Sequence, residues 1–335
     1  MNALGTRSST LFARYLEPGA SGEAGTGTLH FRDAEEQALA LTGWNQDYLQ
    51  LSAGVFQGEL RQHHGAGIRL FIEQVQQSVL QTGMLPRDVL AVGIALDASG
   101  VGMFCGNACA ADDFHVFSGA CGFEFRSSRQ HTMLGIELQL GAGWLNELAP
   151  GQDTWGKLDL PTQACAMRMA PAARSELKTY LLGLFHAAQS NPELLSAPAV
   201  VATVTDFLLD RMTQVKRLHE RTSPATPHWK LVHQACALAQ SQWDQNPTVA
   251  QLCVALGVSR RTLQNGFQQV LNVSPLAYLK AVRLDQARRR LKQVSSVTEA
   301  ATACGFWHFG HFSRDYSRMF GERPSVTLGR HGDRS

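Results

Sequence analysis

Two rows of polar side chains near the C-terminal end are of the types that recognise nucleic acids. Each row follows a glycine, Gly257 or Gly305, and these glycines lie 48 residues apart. Arginine, glutamine and asparagine can hydrogen-bond to base edges, and arginine and serine can hold phosphates. The repeat therefore predicts two similar surfaces that contact double-stranded DNA. The candidate residues are Arg260, Arg261, Gln264, Asn265 and Gln268 in the first row, and His308, His311, Ser313, Arg314 and Arg318 in the second.

A short helix, a glycine turn and a longer helix are predicted around each row. In the first unit, Thr248 can cap a short helix, and Ser259 is a good N-cap for a helix over residues 260–271, because its hydroxyl can accept an unpaired backbone N–H. In the second unit, a short helix over 298–304 precedes a longer one over about 308–320. Both are helix-turn-helix patterns, in which the second helix enters the major groove of DNA.

A long helix from Pro275 to about Lys292 should join the two units. At 1.5 Å per residue it would be about 27 Å long. That length could place two recognition helices about one turn of DNA apart, roughly 34 Å. The arginines at 288–290 are consecutive and point around this helix, so we expect them to contact phosphate or solvent. The predicted core consists of Leu252, Leu256, Val258, Leu263, Phe267 and Val270 in the first unit, and of Ala300, Ala303, Phe306, Phe309, Phe312, Tyr316 and Phe320 in the second.

The charge of the chain is divided unevenly. Residues 228–335 hold 14 Lys and Arg against 6 Asp and Glu, net +8, whereas residues 1–227 hold 16 against 22, net −6. The whole chain therefore has a net charge of only +2. A basic module attached to a mildly acidic one is typical of a nucleic-acid-binding domain joined to a domain of another function.

Composition sets the broad class. The length of 335 residues predicts two or three domains, and 44% hydrophobic residues can give each of them a core. No apolar run is long enough for a membrane span or a signal peptide, so we expect a cytoplasmic protein. Seven scattered cysteines fit reduced thiols better than a disulfide framework.

The N-terminal half reads as β structure followed by helices. The glycine-rich residues 19–28 should form a mobile loop or arm. Apolar helical spacing recurs at 174–188 and 198–218, and these two helices are candidates for a dimer interface or for packing on the β structure. Short β-type runs at a spacing that suggests a sandwich or barrel occupy residues 55–60, 68–73, 89–96, 102–105, 114–117, 123–126 and 133–138.

The predicted fold is of the α+β class. A β-rich, cupin-like sandwich or barrel that acts as a sensor precedes a helical dimerisation segment and an all-α domain with two helix-turn-helix units joined by a long helix. The predicted boundaries are 1–28 for a flexible arm, 29–170 for the sensor domain, 171–220 for the dimerisation segment, 221–228 for a linker, 229–328 for the DNA-binding domain and 329–335 for a tail.

Residues 229–328 resemble the DNA-binding domain of the AraC/XylS family of bacterial transcription regulators. The resemblance rests on Ser259-Arg260-Arg261-Thr262-Leu263-Gln264 with Phe267, on Pro275 and the row Arg283, Leu284, Ala287 and Leu291, and on Gly305-Phe306, Phe312-Ser313-Arg314, Gly321 and Pro324. The runs SRRTLQNGF and GFWHFGHFSRDY are most similar to the regulator of ethanolamine-utilisation operons. Gly310 and Tyr316 depart from the residues usual in the family, and a glycine inside a helix costs about 1 kcal/mol relative to alanine.

The resemblance implies a mechanism. Members of this family bind promoter DNA through two helix-turn-helix units, sense a small molecule in the N-terminal domain, often form homodimers and usually activate transcription by contacting RNA polymerase. By position, Arg261, Gln264 and Asn265 match residues that face the groove in the first unit. His311, Ser313 and Arg314 match those of the second. The subgroup suggests an amine or a cobalamin as the effector.

Two other interpretations of the chain stay open. One is a regulator that needs no ligand and whose N-terminal domain only forms dimers. The other is a metal or redox sensor using Cys105, Cys109, Cys121 and His115, although buried thiols are favoured because a second ligand pair is missing. The adjacent histidines at 63–64 would lie on opposite faces of a strand, which argues against a catalytic metal site.

No enzyme activity, cofactor or metal is predicted. The GAG fragments at 65–67 and 141–143 lack the further glycines of a nucleotide-binding loop. No cofactor-binding residue is therefore assigned. Trp307 and His308 have an alternative role in packing and capping the last helix.

Overall fold

The computed structural model describes residues 25–87, 89–109, 113–119, 121–139, 164–219 and 228–332. The predicted linker lies almost wholly outside the described residues, and so do most of the predicted N-terminal arm and the second GAG fragment. The described chain has two parts, of which residues 25–219 are the N-terminal part and residues 228–332 the C-terminal part.

The N-terminal part contains two antiparallel sheets. Seven strands form the larger sheet in the order β1-β3-β4-β11-β6-β9-β12, and five form the smaller in the order β2-β5-β10-β7-β8. The strands are β1 Gly25–Phe31, β2 Asp47–Gln50, β3 Gly58–His64, β4 Ile68–Val75, β5 Val79–Gly83, β6 Val89–Ala98, β7 Gly102–Phe104, β8 Asn107–Cys109, β9 Asp113–Ser118, β10 Phe123–Arg126, β11 His131–Gln139 and β12 Cys165–Arg168.

The central strands β4, β11, β6 and β9 of the larger sheet are buried on both faces, which explains their nearly continuous apolar sequences. Leu70 and Ile72 of β4 point to one face and pack with the helices that follow the sheet, whereas Phe71 between them packs against the smaller sheet. Phe104 and Phe125 supply the smaller sheet's side of that second core. The two sheets therefore form a sandwich, one of the two arrangements that the sequence predicted.

Two expectations for this region need correction. Residues 25–28, predicted as part of a flexible arm, are paired with β3 in the register Gly25–His64 to Phe31–Gly58. Backbone hydrogen bonds along an edge strand need no particular side chains, so a Gly-Thr repeat can form one. The strands β1, β2, β5, β8 and β12 and the helix α1, Ala34–Ala40, were not predicted. Most of these elements are short and polar, and β2, β5 and β12 pair with strands that are distant in the sequence.

The two apolar helices of the N-terminal part are α2, Pro171–Ser190, and α3, Pro198–His219. Their buried side chains pack on the larger sheet. The stripes that suggested dimerisation are thus used within the chain, which is the other possibility that the sequence left open. These side chains include Leu177, Leu181, Phe185 and Ala188 in α2 and Val204, Leu208, Leu209 and Met212 in α3.

The C-terminal part is helical throughout its described residues. Most helix bounds agree with the sequence prediction, but α10 was not predicted, although Pro324 suits the first turn of a new helix. Residues 329–332, predicted as a tail, belong to it. The helices are α4 Trp229–Ser241, α5 Val249–Leu256, α6 Arg260–Leu271, α7 Pro275–Leu291, α8 Val297–Ala303, α9 Phe309–Phe320 and α10 Pro324–Gly332.

The two parts pack directly against each other. Leu49, Leu80 and Met103 of the smaller sheet belong to the same apolar core as the helices of the C-terminal part. Trp229 at the start of α4 lies against Gly106, where a side chain would collide with the indole ring. The smaller sheet is therefore shared between the core of the sandwich and the core of the helical part.

Candidate nucleic-acid interface

The first helix pair, α5 with α6, is shaped by local signals. Thr248 forms a capping box with Gln251 at the start of α5, and Gly257 ends it in the left-handed region with φ 63°. The hydroxyl of Ser259 then accepts the backbone N–H of Thr262 at 3.1 Å and begins α6. These caps fix the turn, so α6 leaves it in a defined direction.

One face of α6 is buried and the other is exposed. Leu263, Phe267 and Val270 are buried in the core of the C-terminal part. All five side chains of the first predicted row are exposed. Positions 261, 264, 265 and 268 follow the spacing of a single helix face, so these side chains can meet one groove together.

The second helix pair, α8 with α9, repeats this arrangement. The hydroxyl of Ser296 accepts the backbone N–H of Glu299 at 3.4 Å and starts α8, one residue before the predicted helix. The turn contains Gly305 with φ 73°, where a side chain would collide with Asn246. Phe312 and Tyr316 of α9 are buried.

The second predicted row is largely exposed. His308, His311, Arg314 and Arg318 are exposed, and Ser313 is half-buried. His308 is the N-cap residue of α9, but its side chain makes no capping hydrogen bond. The structure thus leaves the side chains of this row available to a partner.

Three side chains around the start of α9 are not packed as the sequence suggested. Trp307 is 71% exposed and Phe309 is 43% exposed, whereas the sequence favoured packing for Trp307 and a core position for Phe309. Ala303 is also exposed instead of buried. Helical spacing places Phe309 with the buried face, but the first turn of α9 extends beyond the core. Exposed apolar side chains beside a recognition helix can contact thymine methyl groups.

A basic groove that was not predicted from the sequence lies beside the second row. A cavity of about 310 Å³ is lined by Ser313, Arg314, Ser317 and Arg323, among other residues. Arg323 lies in the turn before α10 and is exposed. Arginine and serine side chains around one groove can hold a phosphate. In the sequence, the only indication of this groove was a single arginine, Arg323, next to Pro324.

The long helix α7 holds the two helix pairs together. Tyr278 packs against Phe267 of α6 with ring centroids 5.5 Å apart. Arg283 lies over Phe306 at 5.3 Å, and Lys280 forms an ion pair with Asp315 of α9 at 2.6 Å. Because α7 contacts both pairs, it connects one to the other.

The arginines of α7 do not have the role predicted for them. Arg288 is buried, and its Nε donates to Asp33 at 2.6 Å while its Nη2 lies 3.0 Å from Glu322. Lys292 pairs with the same Asp33 at 3.0 Å and with Glu35 at 2.8 Å. Burial alone would raise the pKa of Asp33, but Lys292 and Arg288 hold it well below its ordinary value. The carboxylate therefore stays ionised at the interface of the two parts.

The next two arginines also bind protein groups. Arg289 forms ion pairs with Asp47 and Glu35 of the N-terminal part and with Asp285 at 2.8 Å. Burial raises the pKa of Asp285 to about 7, although Arg289 opposes this shift. Arg290 lies over the ring of Trp243 at 5.3 Å. The expectation that all three would contact phosphate or solvent is therefore wrong, because acidic partners far away in the sequence claim two of them.

The cysteines of the N-terminal part are thiols, as predicted. Cys109 is buried, and Cys105 and Cys121 are half-buried. Burial raises the pKa of both Cys105 and Cys109 to about 12, so these thiols are protonated at neutral pH. Within the described residues, no three His, Cys, Asp or Glu side chains are grouped so that they could hold a metal ion.

Two buried histidines lie in the sandwich. His115 packs against Phe104 with ring centroids 4.7 Å apart, and burial lowers its pKa to about 3. Burial likewise lowers the pKa of His131 to about 4. Both rings are therefore neutral near pH 7.

None of the helices in the described residues is both long and apolar enough to cross a bilayer.

Comparison with known proteins agrees with this geometry. Residues 252–330, which contain α6 to α9, match the model of a helix-turn-helix domain family. The chain is 34% identical over 156 residues to a probable thc operon regulatory protein of Rhodococcus erythropolis, covering 44% of this chain and 46% of that protein. It is 40% identical over 89 residues to the HTH-type transcriptional regulator GbdR of Pseudomonas aeruginosa, covering 26% of this chain and 24% of that protein.

Among solved structures, the chain is similar to a probable AraC family transcriptional regulator from Rhodopseudomonas palustris. The two are 39% identical, with a TM-score of 0.29, over 30% of this chain and 97% of that one. The chain spans less than half the length of the two curated relatives named above. The similarity to those two relatives and to this structure is therefore partial.

Proposed function

We propose that this chain, which carries the helix-turn-helix DNA-binding domain of the AraC family of transcription regulators, reads a bipartite promoter sequence with its two helix pairs and responds to a small molecule. One observation carries the proposal. Both rows of candidate side chains are exposed, or half-buried in the case of Ser313, while the N-terminal part is packed in place. DNA can therefore reach both helix pairs without separation of the two parts.

Arg261 and Arg314 are the central candidates for base or phosphate contacts, one in each helix pair. Gln264, Asn265 and Gln268 extend the first surface, and the side chain of Gln268 is held by a 2.8 Å hydrogen bond to Asn272. Arg260, His308, His311, Ser313 and Arg318 complete the proposed interface. The reach of α7 supports simultaneous contact, since its 17 residues correspond to about 26 Å.

The experiment is selection of genomic DNA by the purified full chain at roughly 150 mM salt, where unspecific phosphate binding is strongly weakened. The expected product is a site with two half-sites about ten base pairs apart. Arg261→Ala and Arg314→Ala should each weaken binding by about 5-fold to 150-fold and relax the sequence preference at one half-site. Arg61→Ala is the matched control, because Arg61 is an exposed arginine of β3 paired with Glu59. Unchanged binding by both test variants would refute the proposal.

The response to an effector and the homodimer belong to the same proposal. Their support is the two-sheet sandwich, of the cupin-like type proposed for a sensor domain, and the resemblance of the C-terminal part. The ethanolamine subgroup, and with it an amine or a cobalamin as effector, also stays a proposal, as do activation through RNA polymerase and a cytoplasmic location. Shifts of the melting temperature with such compounds test the response to an effector. The mass of the protein in solution tests the homodimer. A dimer whose melting temperature no compound shifts favours the alternative, a regulator that needs no ligand and whose N-terminal domain only forms dimers.

A further inference from the structure

The C-terminal end of a helix has backbone carbonyls that no residue of the same helix can satisfy. At the end of α6, the carbonyl of Val270 accepts a hydrogen bond from Nε of Arg126 at 2.9 Å. Arg126 belongs to β10 of the N-terminal part and is 7% exposed. Its Nη2 donates to the carbonyl of Val101 at 3.0 Å, which fixes the guanidinium in its own sheet. A cation at this position also interacts favourably with the helix dipole.

The end of α9 is held in the same way. The carbonyl of Met319 accepts from Nε2 of Gln50 at 2.9 Å and from the backbone N–H of Gly54 at 3.0 Å. Gln50 ends β2 and is 2% exposed. Its Nε2 also lies 2.8 Å from the carbonyls of Ser52 and Gly54, so the amide is fixed by its own loop. Both proposed recognition helices thus receive donors from the N-terminal part at the same end.

The two donors lie close together in one sheet. Strand β5 separates β2 from β10, with Gln50 opposite Val79 and Arg126 opposite Leu80. Neighbouring strands are about 4.8 Å apart, so the two backbone positions are separated by roughly 10 Å. A hydrogen-bonded sheet does not readily change this distance. The smaller sheet therefore ties the ends of α6 and α9 to two fixed points.

We propose that Gln50 and Arg126 are positioning residues that set the distance and angle between the two recognition helices, and thereby the spacing of half-sites that the protein accepts. This inference rests on the proposed function, because it assumes that both helices read DNA. Neither residue belongs to the reading rows. Gln50 and Arg126 determine which spacing of half-sites is bound. They do not determine the base sequence that is recognised at each half-site.

The test measures binding of the full chain to a series of duplexes in which the two selected half-sites are separated by one base pair more or fewer at each step. The wild type should show a narrow optimum. Arg126→Met and Gln50→Met keep apolar bulk but remove the donors, and each should reduce the preference for the best spacing over its neighbours by about tenfold. Arg126→Lys keeps a charged donor and should restore most of the preference.

Arg61→Met is the matched control, because Arg61 is an exposed arginine of β3 that pairs with Glu59 within the N-terminal part. It should leave the spacing profile unchanged. A single half-site should be bound equally by the wild type and by all four variants. A merely structural role would weaken binding at every spacing without changing the profile, and that result would overturn the inference.

Two further outcomes are decisive. If the wild type binds all spacings equally, the inference is wrong before any variant is made. If one donor variant fails to fold, the other donor variant still tests the inference. Arg261→Ala serves as the separate test of the proposed function and should weaken binding at every spacing while keeping the optimum. If both Arg261→Ala and Arg314→Ala leave binding unchanged, the proposed function fails. If Arg261→Ala weakens binding but the donor variants keep the wild-type profile, only the positioning role fails.

Discussion

Asp33 at the interface of the two parts offers a sharp prediction, because it has two separable tasks. Its Oδ1 caps α1 by accepting the N–H groups of Glu35 at 2.9 Å and Glu36 at 3.4 Å. Its Oδ2 binds Arg288 at 2.6 Å and Lys292 at 3.0 Å. Asparagine caps helices about as well as aspartate, so Asp33→Asn removes the ion pairs with Arg288 and Lys292 and keeps the helix cap.

The magnitude follows from burial. The side chains of Asp33 and Arg288 are 6% and 7% exposed, and removing one partner of a buried ion pair typically costs about 3 to 5 kcal/mol. Arg288 keeps Glu322 at 3.0 Å as a second partner, so we expect the lower end, about 3 kcal/mol of unfolding free energy. Glu59→Gln is the control. It breaks a pair with Arg61 whose side chains are 29% and 44% exposed, and should cost at most about 1 kcal/mol.

The assay is urea unfolding followed both by circular dichroism and by tryptophan fluorescence, so that separate unfolding of the two parts would be seen. The sign of the pH dependence gives a second readout. Because the pKa of Asp33 is lowered in the folded chain, its stabilisation is full above its ordinary value of 3.8 and is lost as the pH falls below it. The difference between wild type and Asp33→Asn should therefore shrink below about pH 4. Equal costs for Asp33→Asn and Glu59→Gln at pH 7 would refute the reasoning.

Three further substitutions should each change the stability of the folded protein in a direction that follows from the structure. Gly310→Ala in α9 should stabilise the protein by about 1 kcal/mol in thermal unfolding, because an added Cβ meets no atom within 4 Å; a lower melting temperature would contradict this. His115→Leu should raise the unfolding free energy at pH 7 by about 1 kcal/mol or more, since neither ring nitrogen has a partner among the described residues. It should also reduce the loss of stability as the pH falls below 6.5, where the unfolded chain takes up a proton that the buried ring resists. The hydrogen bond to Glu124 raises the pKa of His233, so this contact should stabilise the protein below pH 6.5 and weaken as the pH rises further; His233→Gln should abolish that part of a stability profile measured from about pH 6 to 8.

Local signals explain where the sequence analysis was accurate. The bounds of α5 and α6 were predicted as observed, because Thr248, Gly257 and Ser259 each fix a helix end through contacts within a few residues. The exposed and buried faces of α6 followed from helical spacing in the same way. Where contacts within a few residues determine a helix end or a buried face, the sequence contains nearly all of the information needed to predict it.

Long-range contacts explain where it was wrong. The partners of Arg288 and Arg289 include Asp33 and Asp47, more than 240 residues away, and nothing in the local pattern of three arginines indicates them. Strand β2 has the sequence DYLQ, which is a strand only because it pairs with β5. The sequence predicted which side chains of α6 are exposed but not the surface that holds the helices, because that surface comes from the other part of the chain.

The shared smaller sheet has a consequence for protein engineering. Regulators are often recombined by joining the sensor of one to the DNA-binding domain of another, as if the junction lay in the linker. In this chain a graft at residue 228 would replace Arg126 and Gln50, which donate to the carbonyls of Val270 and Met319, and also the apolar contacts of Leu49, Leu80 and Met103. A working chimera should therefore carry over the contact residues of β2, β5, β7 and β10 from the parent of the helical part, and grafts that do so should bind the parental operator more tightly than grafts that do not.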